Sequence, residues 1–588
     1  MNAKEIISTT FDNIDYKGFD ESDIVTALYS IPESDRSIFE NTSELLAFQL
    51  VEGGNNEWNT YYGPFLIRAD QTCFPSKEMI TTEVLDYWEK RVDEVQNPML
   101  KARYSGLLVD FKQQCNGNIR TIHIQAILDL IKGNYPKYAI NGINKLQRAM
   151  RLAILSKNKG TIAEVKNAIP EYETKVAKDY DAGIWGRIFL LMFENIKHFS
   201  EQEKTEYIDR LEGRLTTLTS KNIQGEGNDR FDPFVIEQAV DLLAQYYNKI
   251  NDRTNLQRIL NTLYDSYNKA TIQFSAMQKQ MHWDKLYRIF DNYQFKEKAK
   301  KILAELQNSS SDVIDEMQKI EMPFEILQEQ FEEFIKEMTS GSKKEVFGKF
   351  IAHFIPNKEY QKEQLLKISK DTPLLSLCPT QLFDYKGRPN SVVGNIENDL
   401  EGNLVLHISK SLNINALFIR AVIKENINNG FFSKENIMHF IQDCPLIEID
   451  RKAIISKGVD AYLDEDYLTM LHLLIPQIEN AVRNIVEKSG RSSLKRQKNN
   501  NGFQLMTFDD LLIDEAVLNI GADFAYYLRI LFTNQKGWNL RNLICHGISQ
   551  ISLFNSMTAD RVFHALLCIG AIKYQTCLNF FEELGYKP

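Results

Sequence analysis

Proline and glycine are scarce in this chain, with 15 Pro and 28 Gly in 588 residues. So few breakers, with Leu, Ile, Lys, Glu and Gln in plenty, point to helices joined by short loops. Cysteine is thin as well. The seven (Cys73, Cys115, Cys378, Cys444, Cys545, Cys568, Cys577) are scattered and form no C-x-x-C pair. That argues against a disulfide frame or a structural zinc site, and fits a reducing, cytoplasmic compartment. Positive charge is not in excess: the formal net charge is -10, so no global field draws nucleic acid in and any RNA contact must be local. No apolar run reaches the roughly 18 residues a membrane span needs. The opening MNAKEIISTTFDNID lacks the apolar stretch of a secretory signal, so no membrane partner is expected.

What is present is helical periodicity over most of the length. At 68.1 kDa the chain is too long for one core. Four segments are expected. Residues 1–115 form an N-terminal helical domain interrupted by an aromatic loop, NEWNTYYGPFLIRADQTCFPSKE. Residues 116–370 form a solenoid-like helical array without a fixed repeat period. Residues 371–450 form a small mixed segment in which LFDYKGRPNSVVGN and DLEGNLVLHIS suggest β-like runs. Residues 451–588 form a last helical bundle, with RSSLKRQKNNNG as a polar loop. The fold class is therefore mainly α, an array followed by a bundle.

Familiar chemical templates are missing. GSKKEVFGKF lacks both the spacing of a phosphate-binding loop and the Ser/Thr after Gly-Lys, and there is no GxGxxG, HExxH or GxSxG. No cofactor and no metal site is expected. The Tyr and Trp residues of the N-terminal region read as packing aromatics.

One stretch near the end carries more chemistry than the rest: GWNLRNLICHGISQ (537–550). Asn539 is placed to cap a helix, with Leu540, Leu543, Ile544, Gly547, Ile548 and Ile551 as its apolar stripe. Arg541, Asn542, Cys545 and His546 then occupy the polar arc, Arg541 about 140° from His546. A cation in the first turn opposes the helix dipole, whereas an anion bound there would reverse the balance. Histidine adds a group suited to both acid and base roles near neutrality. The stretch is therefore a structural helix start, an anion site, or half of a metal-free nuclease site.

RNLICHG, preceded by GWNL and some sixty residues after LHLLIPQIENAVRNIVEKSG, resembles the R-x4-6-H signature of the HEPN superfamily of helical-bundle ribonucleases. It is most similar to a family whose C-terminal domain ends in RN-x3-HG. YYGPF and LDYWEKRVDEVQNPMLKARYSGLLVDF share that family's texture. The resemblance implies a metal-independent endoribonuclease that cuts single-stranded RNA by 2′-hydroxyl attack, with a bacterial defence or stress-toxin role. His546 would be the acid/base, Arg541 the phosphate clamp and Asn542 an orienting group. The site would form across a homodimer built through the C-terminal domain. A regulatory or antitoxin partner is compatible with such a role. The rival expectation is a non-catalytic helical scaffold that binds RNA or a protein through the same domain.

Other residues have two readings each. Glu479 and Arg483, four apart on one helix, either support the site or form an ordinary ion pair. Arg491, Lys495, Arg496 and Lys498 either guide RNA or belong to a solvated loop. His472 and His564 lie in apolar helices and read as satisfied packing histidines. Cys545 neighbours His546, but adjacent helical residues point about 100° apart, which disfavours a Cys–His nucleophile.

Overall fold

The computed structural model describes residues 2–53, 58–68, 71–112, 117–318, 325–497 and 502–573. The protein is mainly α, as expected, and the described strands form four antiparallel pairs, each strand two to five residues long. No described helix is long and apolar enough to cross a membrane. The chain divides into two compact units, Met1–Leu303 and Ala304–Pro588. The boundaries expected at residues 115, 370 and 450 fall inside these units.

In the first unit, helix starts are written in reciprocal caps: Asn2 with Glu5, Asp20 with Asp23, Ser200 with Glu203 and Ser275 with Gln278. Each pair satisfies two of the N–H groups that a helix start leaves open. From Pro98 onward, helices pack on their successors. Pro98–Phe111 meets Gly117–Gly133, which meets Ala139–Ser156, which meets Lys159–Val176. Glu201–Ser220, Pro233–Lys249 and Arg253–Ala270 continue the pattern. The aromatic stretch expected to be a loop holds one short ladder, Leu66–Ile67 with Cys73–Phe74, and its Tyr62–Gly63 pairs with Val51–Glu52 just before it.

The N-terminal aromatics pack helices together. Trp88 is buried and its Nε1 donates to the Ser43 carbonyl at 3.0 Å. Beside it Glu44, without solvent exposure, pairs with Arg91 at 2.7 Å and accepts from the hydroxyls of Tyr87 and Tyr104. Burial pushes the Glu44 carboxyl above its ordinary range, although Arg91 pulls the other way.

The second unit is organised around the helix Ser556–Ala571, whose residues from Thr558 to Ala571 are all buried. Lys343–His353, Ala416–Asn428, Lys434–Gln442 and Tyr467–Lys488 pack against it. One apolar core runs from Met338 to Ile572, so residues on both sides of position 450 share it. Within the expected mixed segment, LFDYKGRPNSVV forms a hairpin of Thr380–Phe383 and Pro389–Val393. DLEGNLVLHIS, by contrast, belongs to the helix Leu400–Ile414. Asp399 caps it by accepting from the Gly402 N–H, and Leu404, Val405, Ile408 and Leu412 are buried at helical spacing. Burial of that stripe outweighs the weak strand preference of its β-branched residues. The polar loop RSSLKRQKNNNG also departs from expectation, because Leu494–Arg496 pairs with Phe503–Leu505.

His564, on the central helix, is a satisfied packing histidine. Its Nε2 donates to the Ile351 carbonyl at 3.1 Å and its Nδ1 accepts from the Tyr527 hydroxyl at 2.9 Å. Burial, helped by the Arg561 charge, pushes its pKa from an ordinary 6.5 to about 3. The native imidazole is neutral while the unfolded one takes a proton below pH 6.5, so its contribution is complete above that pH. It is lost at up to about 1.4 kcal/mol per pH unit as the pH falls towards 3. The variant His564→Leu is expected to be about 1–3 kcal/mol less stable near neutrality, because it strands a buried hydroxyl and a buried carbonyl. It should also lose stability less steeply on acidification. Urea unfolding at about pH 5 and about pH 7 tests this, and equal acid sensitivity in both proteins would contradict a buried neutral imidazole.

Candidate active site

The chain enters the motif through a close approach. A Cβ on Gly537 would come 2.5 Å from the Ile530 carbonyl oxygen, which accepts the Trp538 N–H at 2.9 Å. Only glycine fits there. Asn539 follows with φ 53°, in the left-handed region that asparagine tolerates better than most residues. It precedes the helix as expected, yet its side chain caps no backbone N–H. Its Oδ1 instead accepts from Asn542 Nδ2 at 2.7 Å.

The motif helix is shorter than the apolar stripe suggests: Leu540–Cys545, six residues. It stops because Gly547 takes φ 67°. The Gly547 N–H then reaches the Ile544 carbonyl and the Ile548 N–H reaches the Leu543 carbonyl, both at 3.0 Å. These two bonds are those of a glycine-terminated helix end. The expected stripe is thereby cut. Leu540 and Ile544 are buried, Leu543 is half-buried, and Ile548 and Ile551 lie beyond the helix and are exposed. A helix this brief offers little N-terminal dipole, which weakens the anion-site reading drawn from the first turn.

The polar residues form a continuous chain. Glu479, on the helix Tyr467–Lys488, accepts from Arg541 Nε at 2.8 Å. A second Arg541 nitrogen lies 3.4 Å from the other Glu479 oxygen, and a third lies 3.4 Å from Asn542 Oδ1. Asn542 in turn holds Asn539. Arg483 shares the Glu479 carboxylate at 3.4 Å and donates to the Met506 carbonyl at 3.3 Å. Glu479 thus bonds both to Arg483 on its own helix and to Arg541, and the shorter contact is the one to Arg541. Two guanidinium groups face one carboxylate, leaving a local excess of positive charge. Side-chain exposures of 26% for Arg541, 16% for Glu479 and 14% for Arg483 mean that this charge is only partly screened.

His546 follows the last helical residue. Its N–H bonds weakly to the Asn542 carbonyl at 3.4 Å. Its imidazole is exposed, with no side-chain hydrogen bond or ring contact among the described residues. Sequence reasoning placed Asn539 as a cap and so missed its part in the polar chain. The signal available was its spacing of three from Asn542, which puts two carboxamides within reach on one turn.

The basic loop is less available than its sequence suggests. Arg491 pairs with Asp514 at 2.8 Å and Glu515 at 3.1 Å, and Lys495 pairs with Asp510. Arg496 is exposed, and Lys498 lies outside the described residues. His472, expected to be a packing histidine, is exposed instead; it stacks on Phe554 with ring centroids 5.3 Å apart. Among the described residues, no group of three or more His, Cys, Asp or Glu side chains is placed to hold a metal ion.

Comparison of the chain with family models, curated proteins and solved structures finds no match.

Cys545 reports on the site's charge. Burial raises its thiol pKa, Arg541 lowers it and Glu479 raises it. Glu479→Gln removes the opposing charge from beside Arg541, so the Cys545 thiolate should form more readily and react faster with iodoacetamide near pH 8. Arg541→Ala should slow the same reaction. Identical alkylation rates in all three proteins would contradict the arrangement of these charges.

Proposed function

We propose that the second unit is a metal-independent endoribonuclease acting on single-stranded RNA. The observation that carries this reading is an exposed imidazole, His546, directly after the six-residue helix that holds Arg541 and Asn542, where Arg541 together with Arg483 outnumbers the Glu479 carboxylate. A phosphodiester brings a negative charge that this excess attracts, and a guanidinium with five N–H groups, three of them engaged, keeps one on each terminal nitrogen for phosphate oxygens. Glu479 fixes the guanidinium plane, which lowers the ordering cost of binding.

In the reaction the 2′-oxygen attacks the neighbouring phosphorus while the bond to the 5′-oxygen breaks. The products are a 2′,3′-cyclic phosphate and a 5′-hydroxyl. A base takes the 2′-proton, an acid gives a proton to the leaving oxygen, and a cation offsets the charge on the phosphorane. His546 moves protons and Arg541 offsets charge. One imidazole cannot serve both ends of an in-line displacement at once, so a second copy supplies the other. The exposed Ile548 and Ile551 beside the motif are apolar surface that a homodimer through this unit would cover. The resemblance to HEPN ribonucleases, by way of RNLICHG, supports the same reading and a cytoplasmic defence or toxin setting. A second reading, a scaffold binding RNA or protein without cutting, is favoured by the ion pair that already occupies part of Arg541.

Cleavage should persist in EDTA and leave 2′,3′-cyclic phosphate ends. His546→Ala should lose roughly 10²–10⁴-fold in rate with RNA binding largely kept, whereas Arg541→Ala should lose both binding and rate. Gel assays with end analysis, alongside light scattering for the dimer, decide the matter. Activity abolished by EDTA and restored by magnesium would sink the mechanism. Both variants cutting like wild type would leave the scaffold.

A further inference from the structure

A cavity in the first unit has no part in the reading above. It measures about 670 Å³, within the range of pockets that hold small organic molecules. One wall is a strip of the helix Glu21–Leu28 and the residue after it: Glu21, Val25 and Tyr29, each four residues from the next. Leu66 and Phe74 of the second short ladder, with Phe65 just before it, also line the cavity, and all three are well exposed. Asn141 and Asn144, one turn apart on the helix Ala139–Ser156, complete it.

The polar end of this cavity is built on buried charge. Lys145, almost fully buried, holds Glu52 at 2.7 and 2.9 Å and Glu21 at 3.1 Å. Arg103, also buried, meets Glu52 at 3.4 Å and donates to the carbonyls of Ala47 and Leu50. Two carboxylates thus face two cations and the quartet is neutral. A ligand with net charge of either sign would enter a place where nothing is left to compensate it, which is costly away from water. A neutral ligand meets no such cost. Beyond its bond to Lys145, the Glu21 carboxylate keeps further acceptor lone pairs at the cavity wall. The Asn141 and Asn144 side chains make no hydrogen bond among the described residues, and each offers both a donor and an acceptor.

We infer that this cavity binds a neutral, amino-substituted heteroaromatic ring of the nucleobase type, as a free base or nucleoside. The ring lies between the aromatic residues Tyr29, Phe65 and Phe74, where flat faces stack. Its amino group donates to Glu21, and its donor–acceptor edge pairs with the two carboxamides, as asparagine pairs with an adenine edge. A carboxylate or phosphate placed at that end would face Glu21 and be repelled.

Calorimetric titration of the full chain with adenosine, cytidine and uridine tests the inference. Adenosine or cytidine, which carry an exocyclic amino group, should bind at least roughly tenfold more tightly than uridine, which has none. The double variant Asn141→Leu/Asn144→Leu should lose roughly tenfold or more of that affinity with an unchanged urea midpoint. Val25→Trp, which fills the cavity without touching the charged quartet, should block every nucleoside. Uridine binding as well as adenosine and cytidine, no binding of any of the three at millimolar concentration, or wild-type affinity in folded variants each overturns it.

Discussion

The short motif helix has one polar tie to the long helix beside it, the contact of Arg541 with Glu479 at 2.8 Å. A six-residue helix is marginal by itself, since a costly first turn is followed by too few stabilising bonds. It persists because Leu540 and Ile544 are buried at one side and Glu479 holds Arg541 at the other. The tie also decides what Arg541 can do. An unpaired arginine on so brief a helix would sample many rotamers, and ordering it on a phosphate would cost side-chain entropy. Held through Nε, it is already oriented.

Buried charge recurs in both units inside hydrogen-bonded clusters, although some buried atoms, among them Asp560 Oδ2 and both polar side-chain atoms of Asn426, have no hydrogen bond among the described residues. In the first unit Glu44 is surrounded by Arg91, Tyr87 and Tyr104. In the second, Asp560 accepts from Tyr462 at 2.6 Å and pairs with Arg420 at 3.1 Å. Arg561 donates to the carbonyls of Phe354 and Leu412. Such clusters add little net stability over an apolar core, but removing one member strands the others. They act as a registry, because a helix shifted by one residue would leave a charge buried without its partner.

Much of the fold was legible. Reciprocal caps such as Ser200 with Glu203, and apolar residues at helical spacing, mark helices wherever the local signal and the packing agree. What was not legible depends on distant parts of the chain. Leu400–Ile414 reads as strand-like locally, and its helix is decided by the core it joins. The hairpin that begins in RSSLKRQKNNNG and closes at Phe503–Leu505 has no apolar alternation in that loop to announce it. The candidate site was legible as a residue set, Arg541, Asn542 and His546, and as a suspicion about Glu479. Its geometry was not. The end of the motif helix at Gly547 was read as more helix because Ile548 and Ile551 extend the apolar period, and the conformational freedom of glycine prevailed.

That early stop changes what the motif can be. Had the helix run on to Ile551, His546 would sit mid-helix with its backbone held on both sides and its neighbours packed. Ended at Gly547, the imidazole projects from the residue just past a short helix, and Ile548 and Ile551 beyond it are exposed. Such an imidazole is accessible but unsupported, since no side chain among the described residues orients it. Proton transfer needs an oriented ring, as does a tautomer matched to its partner. Within one copy that orientation is missing, while Arg541 is over-supported by Glu479. Under the proposed reaction, a substrate phosphate or a second copy would supply it. The exposed apolar residues flanking His546 favour the second copy, because covering them gives the association a driving force that a phosphate cannot.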